Sequence, residues 1–311
     1  MTLRIDNYSS HFTEKSRLAG FFCDKIMSNM ATKTNIADGK KLAEKILKGL
    51  GKDPIKKSLL GKKIGVVTVS PTPETVHFIN KKKEAGAELG LAFEISEFQD
   101  SIGVEAFIQK IKDIGSDSEI IGLIIQLPLP KHLDTQKVFN AIPVLKDIDL
   151  LSEQAFHEFF LSQEEILPPV VGAIDHLIQT AGLDLANKSA VILGAGKLIG
   201  IPSLAWLARK RASVLSFGVW SENVYPYLIN ADIVIAGLGN PGILKGECLK
   251  NGVCVFDVGY SVVDGKAVGD VDFDSVKLKA KLITPVPGGI GPLTVAVLFE
   301  NVFKLYKLQN K

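Results

Sequence analysis

Apolar residues Leu42, Ala43, Ile46, Leu47 and Leu50 recur three and four positions apart with lysines between them, which predicts a one-sided helix over 38–50. Past a lysine-rich stretch at 56–63, residues 64–69 form a short uncharged run rich in β-branched side chains. Pro71 and Pro73 stop it, the pattern of a strand buried on both faces. The period then alternates. A helix is predicted over 74–89, a strand over 93–96, a helix over 104–114 and a strand over 120–126, which Gln126-Leu-Pro-Leu-Pro130 ends sharply. Residues 147–151 close this half. A helix over 172–181 opens a second series with strands at 190–193, 213–217, 233–236 and 253–258, a helix over 203–210, and a last helix over 294–305. Strands that alternate with helices run parallel, because each return needs a crossover. Both halves are therefore predicted as α/β, with parallel sheets carrying helices on both faces.

At 311 residues the chain has room for two domains of about 150 residues each. Its 46% hydrophobic and 23% charged residues exclude a disordered, collagenous or coiled-coil chain. A formal net charge of +2 supplies no field to draw it onto nucleic acid or an anionic membrane, and no apolar run reaches the roughly 18 to 20 residues of a spanning helix. A small, specific ligand is the expected partner. Cys23, Cys248 and Cys254 make no CxxC pair and suit a reducing cytoplasm, and the five histidines lack ligand spacing, so no metal is expected. Residues 1–29 mix both charges without the order of a signal peptide; they are expected to be a poorly ordered extension, with translation starting at Met30.

Gly194-Ala195-Gly196-Lys197-Leu198-Ile199-Gly200 follows a predicted strand and leads into a helix. Glycines there let the backbone approach a pyrophosphate while the helix N-terminus offers unpaired N–H groups, although a ligand-free strand-to-helix turn would have the same spacing. The acid that would read a ribose about 20 residues on is missing. Instead the next strand runs into Gly218-Val219-Trp220-Ser221, which has neither acid nor arginine, and NAD and NADP both stay open. Lys82 lies four positions after Phe78, on the same helix face. On its own the run 81–83 reads as a solvated basic face. Yet Lys82 and Gln126 both fall at the carboxyl edge of the first sheet, where open α/β sheets take ligands.

At these residues the sequence resembles the bifunctional methylenetetrahydrofolate dehydrogenase and methenyltetrahydrofolate cyclohydrolase family, from about Ile36 to the C-terminus. The resemblance is carried by Ile36-Ala-Asp-Gly-Lys40, the run 69–83, Gln126-Leu-Pro-Leu-Pro130 and Lys146-Asp-Ile-Asp149. In the second half it is carried by the run 194–202, Gly239-Asn-Pro-Gly242, Asp257-Val-Gly259, Gly269-Asp-Val-Asp272 and Thr284-Pro-Val-Pro-Gly-Gly-Ile-Gly-Pro292. It implies a folate-binding catalytic domain of 30–150 plus 288–311, to which the C-terminal helix returns, and a Rossmann-like, doubly wound dinucleotide-binding domain of 151–287. The implied chemistry has two steps. A hydride leaves the methylene bridge of 5,10-methylenetetrahydrofolate for a nicotinamide cofactor, and water then opens the methenyl cation to 10-formyltetrahydrofolate.

The resemblance makes Lys82 the essential catalytic group, with Gln126 holding it and Asp149 accepting N–H bonds from the pterin ring. A lysine beside a cationic substrate in a partly dry cleft is disfavoured in its charged form, which suits it to exchange protons. Phe78, Ile125, Leu127, Pro287, Gly288, Gly289, Ile290, Gly291, Pro292 and Thr294 would complete the folate site. Gly194, Ala195, Gly196, Lys197, Gly200 and Tyr260 would hold the dinucleotide, NADP ahead of NAD. A cytoplasmic homodimer built through the cofactor domain is also implied. Three departures from the family pattern bear on this reading. Phe78 stands for a tyrosine, so a ring survives and a hydroxyl is lost. Leu150 stands for a glycine, and Leu167-Pro-Pro-Val170 for a Pro-Cys-Thr-Pro run. Gly218-Val219-Trp220-Ser221 replaces a motif that helps hold the dinucleotide phosphate.

Overall fold

A computed structural model describes residues 34–161 and 166–310; the extension 1–29 and the expected start at Met30 lie outside them. The chain opens with a short strand, β1 (Asn35–Ile36), and a helix, α1 (Gly39–Leu50), whose first turn is capped by Asp38 accepting from the Lys41 N–H. There follow β2 (Lys63–Val69), α2 (Pro73–Glu88), β3 (Ala92–Phe98), α3 (Val104–Ser116) and β4 (Ile120–Ile125). Two helices, α4 (Glu153–Leu161) and α5 (Pro169–Thr180), lead into the second series. That series comprises β5 (Ser189–Leu193), α6 (Gly200–Arg209), β6 (Ser213–Phe217), β7 (Ile233–Ala236) and β8 (Val253–Asp257). A hairpin of β9 (Ser261–Val263) and β10 (Lys266–Val268), then β11 (Ala280–Ile283) and α7 (Ile290–Gln309), complete the described chain.

The first sheet has the order β3-β2-β4 and the second β1-β11-β8-β7-β5-β6, every pair parallel. Their strands alternate between two cores, as the two-residue period of a strand demands. Ile64 and Val66 share one with Phe299 and Val302 of α7, while Val67 and Val69 share another with Phe107 and Ile111 of α3. In the second sheet Ala190 and Ile192 pack with Ile174 and Trp206 of the flanking helices. Val191 and Leu193 pack on the opposite face with Leu228 and Leu249. Both halves are therefore α/β, the second doubly wound.

The helix α7 is apolar nearly all round and joins the two cores. Leu293 and Ala296 belong to that of the second sheet, and Leu298, Phe299, Val302 and Phe303 to that of the first. It begins at Ile290, four residues before the expected start, so Ile290, Gly291 and Pro292 form its first turn. α5 likewise starts early, at Pro169, because a proline at the first helical position is already set to the helical φ. β1 and β11 lack a predicted counterpart. Each is too short to show a period, and Asn35–Ile36, within the stretch assigned to the first domain, pairs on the edge of the second sheet. Among the described residues no helix is long and apolar enough to cross a membrane.

Candidate active site

In each sheet the first strand of the series sits between its two successors, so consecutive connections leave in opposite directions and open a crevice at the carboxyl edge. At the first such edge, Thr72 caps α2, its hydroxyl accepting from the Thr75 N–H, with Pro73 at the first helical position. Lys82 lies on this helix, and its Nζ donates to Gln126 Oε1 at 3.2 Å. Gln126 directly follows β4 and is 9% exposed. Its backbone N–H is bonded to Val67 O at 2.9 Å and its Nε2 donates to Leu127 O at 3.0 Å, which leaves the amide oxygen turned to the lysine.

Asp149 lies in the same cleft. Burial pushes its carboxyl up from the ordinary aspartate range, and the Lys82 charge pulls it back. No backbone or side-chain donor among the described residues hydrogen-bonds it. The neighbouring Asp147 behaves differently: it is 1% exposed, and its two oxygens accept from Leu151 N at 3.1 Å and Ser152 N at 2.8 Å. Burial raises its pKa to about 6. Lys146 is spent on structure, donating at 2.7 Å to the carbonyls of both Gly115 and Asp117 at the end of α3. Of the motif 146–149, the last residue alone lines the cleft.

The cleft holds about 200 Å³ between the two halves. Lys82, Asp149 and Thr294 line it together with Lys197 and Pro202 of the run 194–202; Leu150, Pro168, Pro169 and Val170 are among the residues of its apolar wall. The second of the three departures from the family pattern, Leu150 with the 167–170 run, thus shapes this cavity directly. Contacts across the cleft reinforce it: Lys197 Nζ donates to Gln136 Oε1 at 2.8 Å, and Phe78 meets Tyr260 edge to face at 5.3 Å between centroids. The third departure, Gly218–Ser221, is a turn closed on itself, with Gly218 N–H bonded to Ser221 Oγ and Ser221 N–H to Gly218 O.

At the second crevice, Gly194 leaves β5 with φ +114°, and a Cβ there would lie 2.3 Å from Gly237 O at the end of β7. A Cβ on Gly200 would lie 1.9 Å from Gly194 O, so the segment folds back tightly onto the start of α6. Gly196 has nothing within 4 Å of its Cβ position. This open backbone beside a helix start fits a dinucleotide pyrophosphate. The turn at 287–289 is held against the other half: Lys40 N–H bonds Gly288 O at 3.1 Å, and Gly289 N–H bonds Pro285 O at 2.9 Å. Thr294 Oγ1 donates to Gly291 O at 2.7 Å. Ile125 and Ile290 are 2% and 3% exposed, with their side chains in the cores.

Sequence reasoning passed over two buried carboxylates at this edge. Asp270 accepts from the backbone N–H groups of Leu238, Gly239 and Asn240, and Asp257 from those of Gly259, Asp270 and Val271. Together they fix the loops after β7 and β8, including the approach to Tyr260. Their signal was an aspartate beside a glycine in each of two motifs: a Cβ on Gly259 or Gly269 would collide with the Asp270 or Asp257 carboxylate.

Two family descriptions match the sequence: the catalytic domain of tetrahydrofolate dehydrogenase/cyclohydrolase over residues 37–149, and its NAD(P)-binding domain over 168–310. A bifunctional protein FolD from Hydrogenobaculum sp. is 35% identical over 275 residues, covering 88% of this chain and 99% of the relative. The crystal structure of the bifunctional FolD methylenetetrahydrofolate dehydrogenase/cyclohydrolase from Campylobacter jejuni superposes with a TM-score of 0.85 at 31% identity, over 89% of this chain and 99% of that one. The Trypanosoma brucei dehydrogenase-cyclohydrolase, solved with NADP cofactor and an inhibitor, gives 0.84 at 27% identity over the same shares.

Proposed function

The chain belongs to the tetrahydrofolate dehydrogenase/cyclohydrolase family, and we propose that one cleft, centred on Lys82, serves both of its activities. These are the oxidation of 5,10-methylenetetrahydrofolate to the methenyl form and the hydrolysis of that form to 10-formyltetrahydrofolate. The observation that carries the reading is the Lys82 amine, held at 3.2 Å by Gln126 and sharing its cavity with Asp149 and with Lys197 of the glycine-rich segment. On this reading the amine is the proton-exchanging group between a folate wall and a dinucleotide wall.

In this proposal Asp149 accepts N–H bonds from the pterin, for which its unbonded carboxylate is free, and the turn at 287–292 with Thr294 closes the folate wall. Phe78 offers its ring to the substrate, and Ile125 and Leu127 contribute backbone beside Gln126. A bound nicotinamide dinucleotide supplies the hydride acceptor of the first step. Gly194, Ala195, Gly196 and Gly200 cradle its pyrophosphate against the start of α6, and Tyr260 borders it. Lys82 takes the proton of the attacking water in the second step while Gln126 keeps its amine aimed. NADP ranks ahead of NAD, with Lys197 as the cation for the extra phosphate, since 217–223 contains no lysine or arginine. A cytoplasmic homodimer through the cofactor domain completes the proposal: β6 is an edge strand with Leu215 exposed, Tyr225 and Tyr227 are exposed on the helical turn that follows, and the thiols of Cys248 and Cys254 are free.

The test is Lys82→Met, assayed for each step with folate binding followed separately. Expected is a loss of at least about a hundredfold in both rates, the scale of a general acid–base group, with binding retained. Full rates in both steps would end the proposal.

A further inference from the structure

Asn301 lies on α7, fully buried, away from the cleft wall. Its Nδ2 makes two hydrogen bonds of 2.9 Å, to Ile148 O and to Leu167 O, and its Oδ1 has no partner. Keeping a buried amide oxygen unpaired is costly, and an apolar side chain of like shape would avoid it. The two carbonyls it grips belong to the two ends of the connection between the halves. Ile148 precedes Asp149, and Leu167 precedes the Pro168–Val170 part of the cleft wall.

The backbone at Asp149 needs such a grip. Leu150 has φ +56°, a left-handed conformation that a branched side chain rarely takes, and it is 7% exposed. Local strain of this kind persists only where the surroundings fix it. On the downstream side Asp147 does so, holding the Leu151 and Ser152 N–H groups, and Leu150 N–H bonds Asp147 O at 3.3 Å. Upstream, Asn301 holds the carbonyl. The Asp149 carboxylate itself has no hydrogen bond to the described protein, so its direction is set by this backbone.

We propose that Asn301 is a positioning residue for the folate. From the C-terminal helix it locks the strained segment 148–150 so that the free Asp149 carboxylate meets the substrate ring already oriented, and it sets the adjoining cleft wall at Leu167. The inference rests on the reading of Asp149 as a folate-binding group.

Asn301→Leu removes both donors at nearly constant volume. The folate KM, read in the hydrolysis step that needs no dinucleotide, is expected to rise about tenfold, the scale of one to two hydrogen bonds. In the dehydrogenase step the dinucleotide KM should stay within about twofold, since the glycine-rich segment is untouched. Should the leucine variant fail to fold, Asn301→Ser, which keeps one donor, is expected to show a smaller rise in the same constant. An unchanged folate KM, or equal rises in both constants, overturns the proposal and leaves Asn301 a packing residue. Asp149→Asn, assayed alongside, separates the two claims. If it leaves the folate KM unchanged, the reading of Asp149 fails. If it raises that KM and neither Asn301 variant does, the positioning role alone fails.

Discussion

Gly39 offers a sharp test of how the first helix meets the turn at 287–289. A Cβ at this position would lie 1.8 Å from Gly289 O, 2.6 Å from Gly289 C and 2.8 Å from Gly288 O. Ordinary contact begins near 3.4 Å, so something must move by well over an ångström. The turn resists retreat, because Gly289 N–H is bonded to Pro285 O at 2.9 Å. The N-terminus of α1 must lift instead, breaking the Lys40 N–H bond to Gly288 O and straining the packing of Leu42 and Ile46 on the core. Gly39→Ala is therefore expected to destabilise by about 2 kcal/mol, overpacking outweighing the gain in helix propensity. Gly49 is the control. It lies on the same helix with nothing within 4 Å, so Gly49→Ala should stabilise by up to about 1 kcal/mol. Denaturant midpoints at constant slope measure both, and the folate KM should rise for Gly39→Ala alone. Equal stability of the two variants would refute the contact between α1 and the turn.

Three further outcomes are expected. Phe78→Tyr, which restores a hydroxyl beside Tyr260, should speed hydrolysis of the methenyl substrate up to about tenfold; an unchanged rate would show that no proton passes there. Lys197→Ala should raise the KM for NADP about tenfold more than that for NAD, the scale of one charge-assisted contact, and equal rises would remove Lys197 from the extra phosphate. The third concerns pH. Burial pushes Asp147 and Asp257 up to about 6, above the ordinary 3.8, so the folded state favours their neutral forms. The stability they contribute is fully present below about pH 4 and is lost as the pH rises through about 6, at most about 3 kcal/mol for each. Asp257→Asn should flatten that part of the stability curve measured by denaturation from about pH 4 to 7, and an unaltered slope would contradict the shift.

Local pattern was enough to reveal both series of strands and helices, since a buried strand and a one-sided helix each write their period into consecutive residues. The runs 213–217 and 233–236 needed no adjustment. The glycine-rich segment and the motifs around Lys82, Gln126 and Asp149 were legible for a similar reason: tight turns and reacting groups constrain residue type at fixed spacing. Two-residue β1 and four-residue β11 were not, because their place depends on a neighbouring strand rather than on their own composition.

Tertiary structure alone decided what joins across the fold. Nothing in the run 146–149 says that Lys146 binds carbonyls at the end of α3, that Asp147 holds the two N–H groups just before α4, and that Asp149 is left unbonded in the cleft. Nor does the apolar run of α7 reveal that Asn301 grips two carbonyls more than a hundred residues away. Residue type and period are properties of the chain, whereas a hydrogen bond between distant segments exists once both have packed. The candidate groups could be listed from sequence, but their distances, burial and freedom came from the meeting of two sheets around one helix.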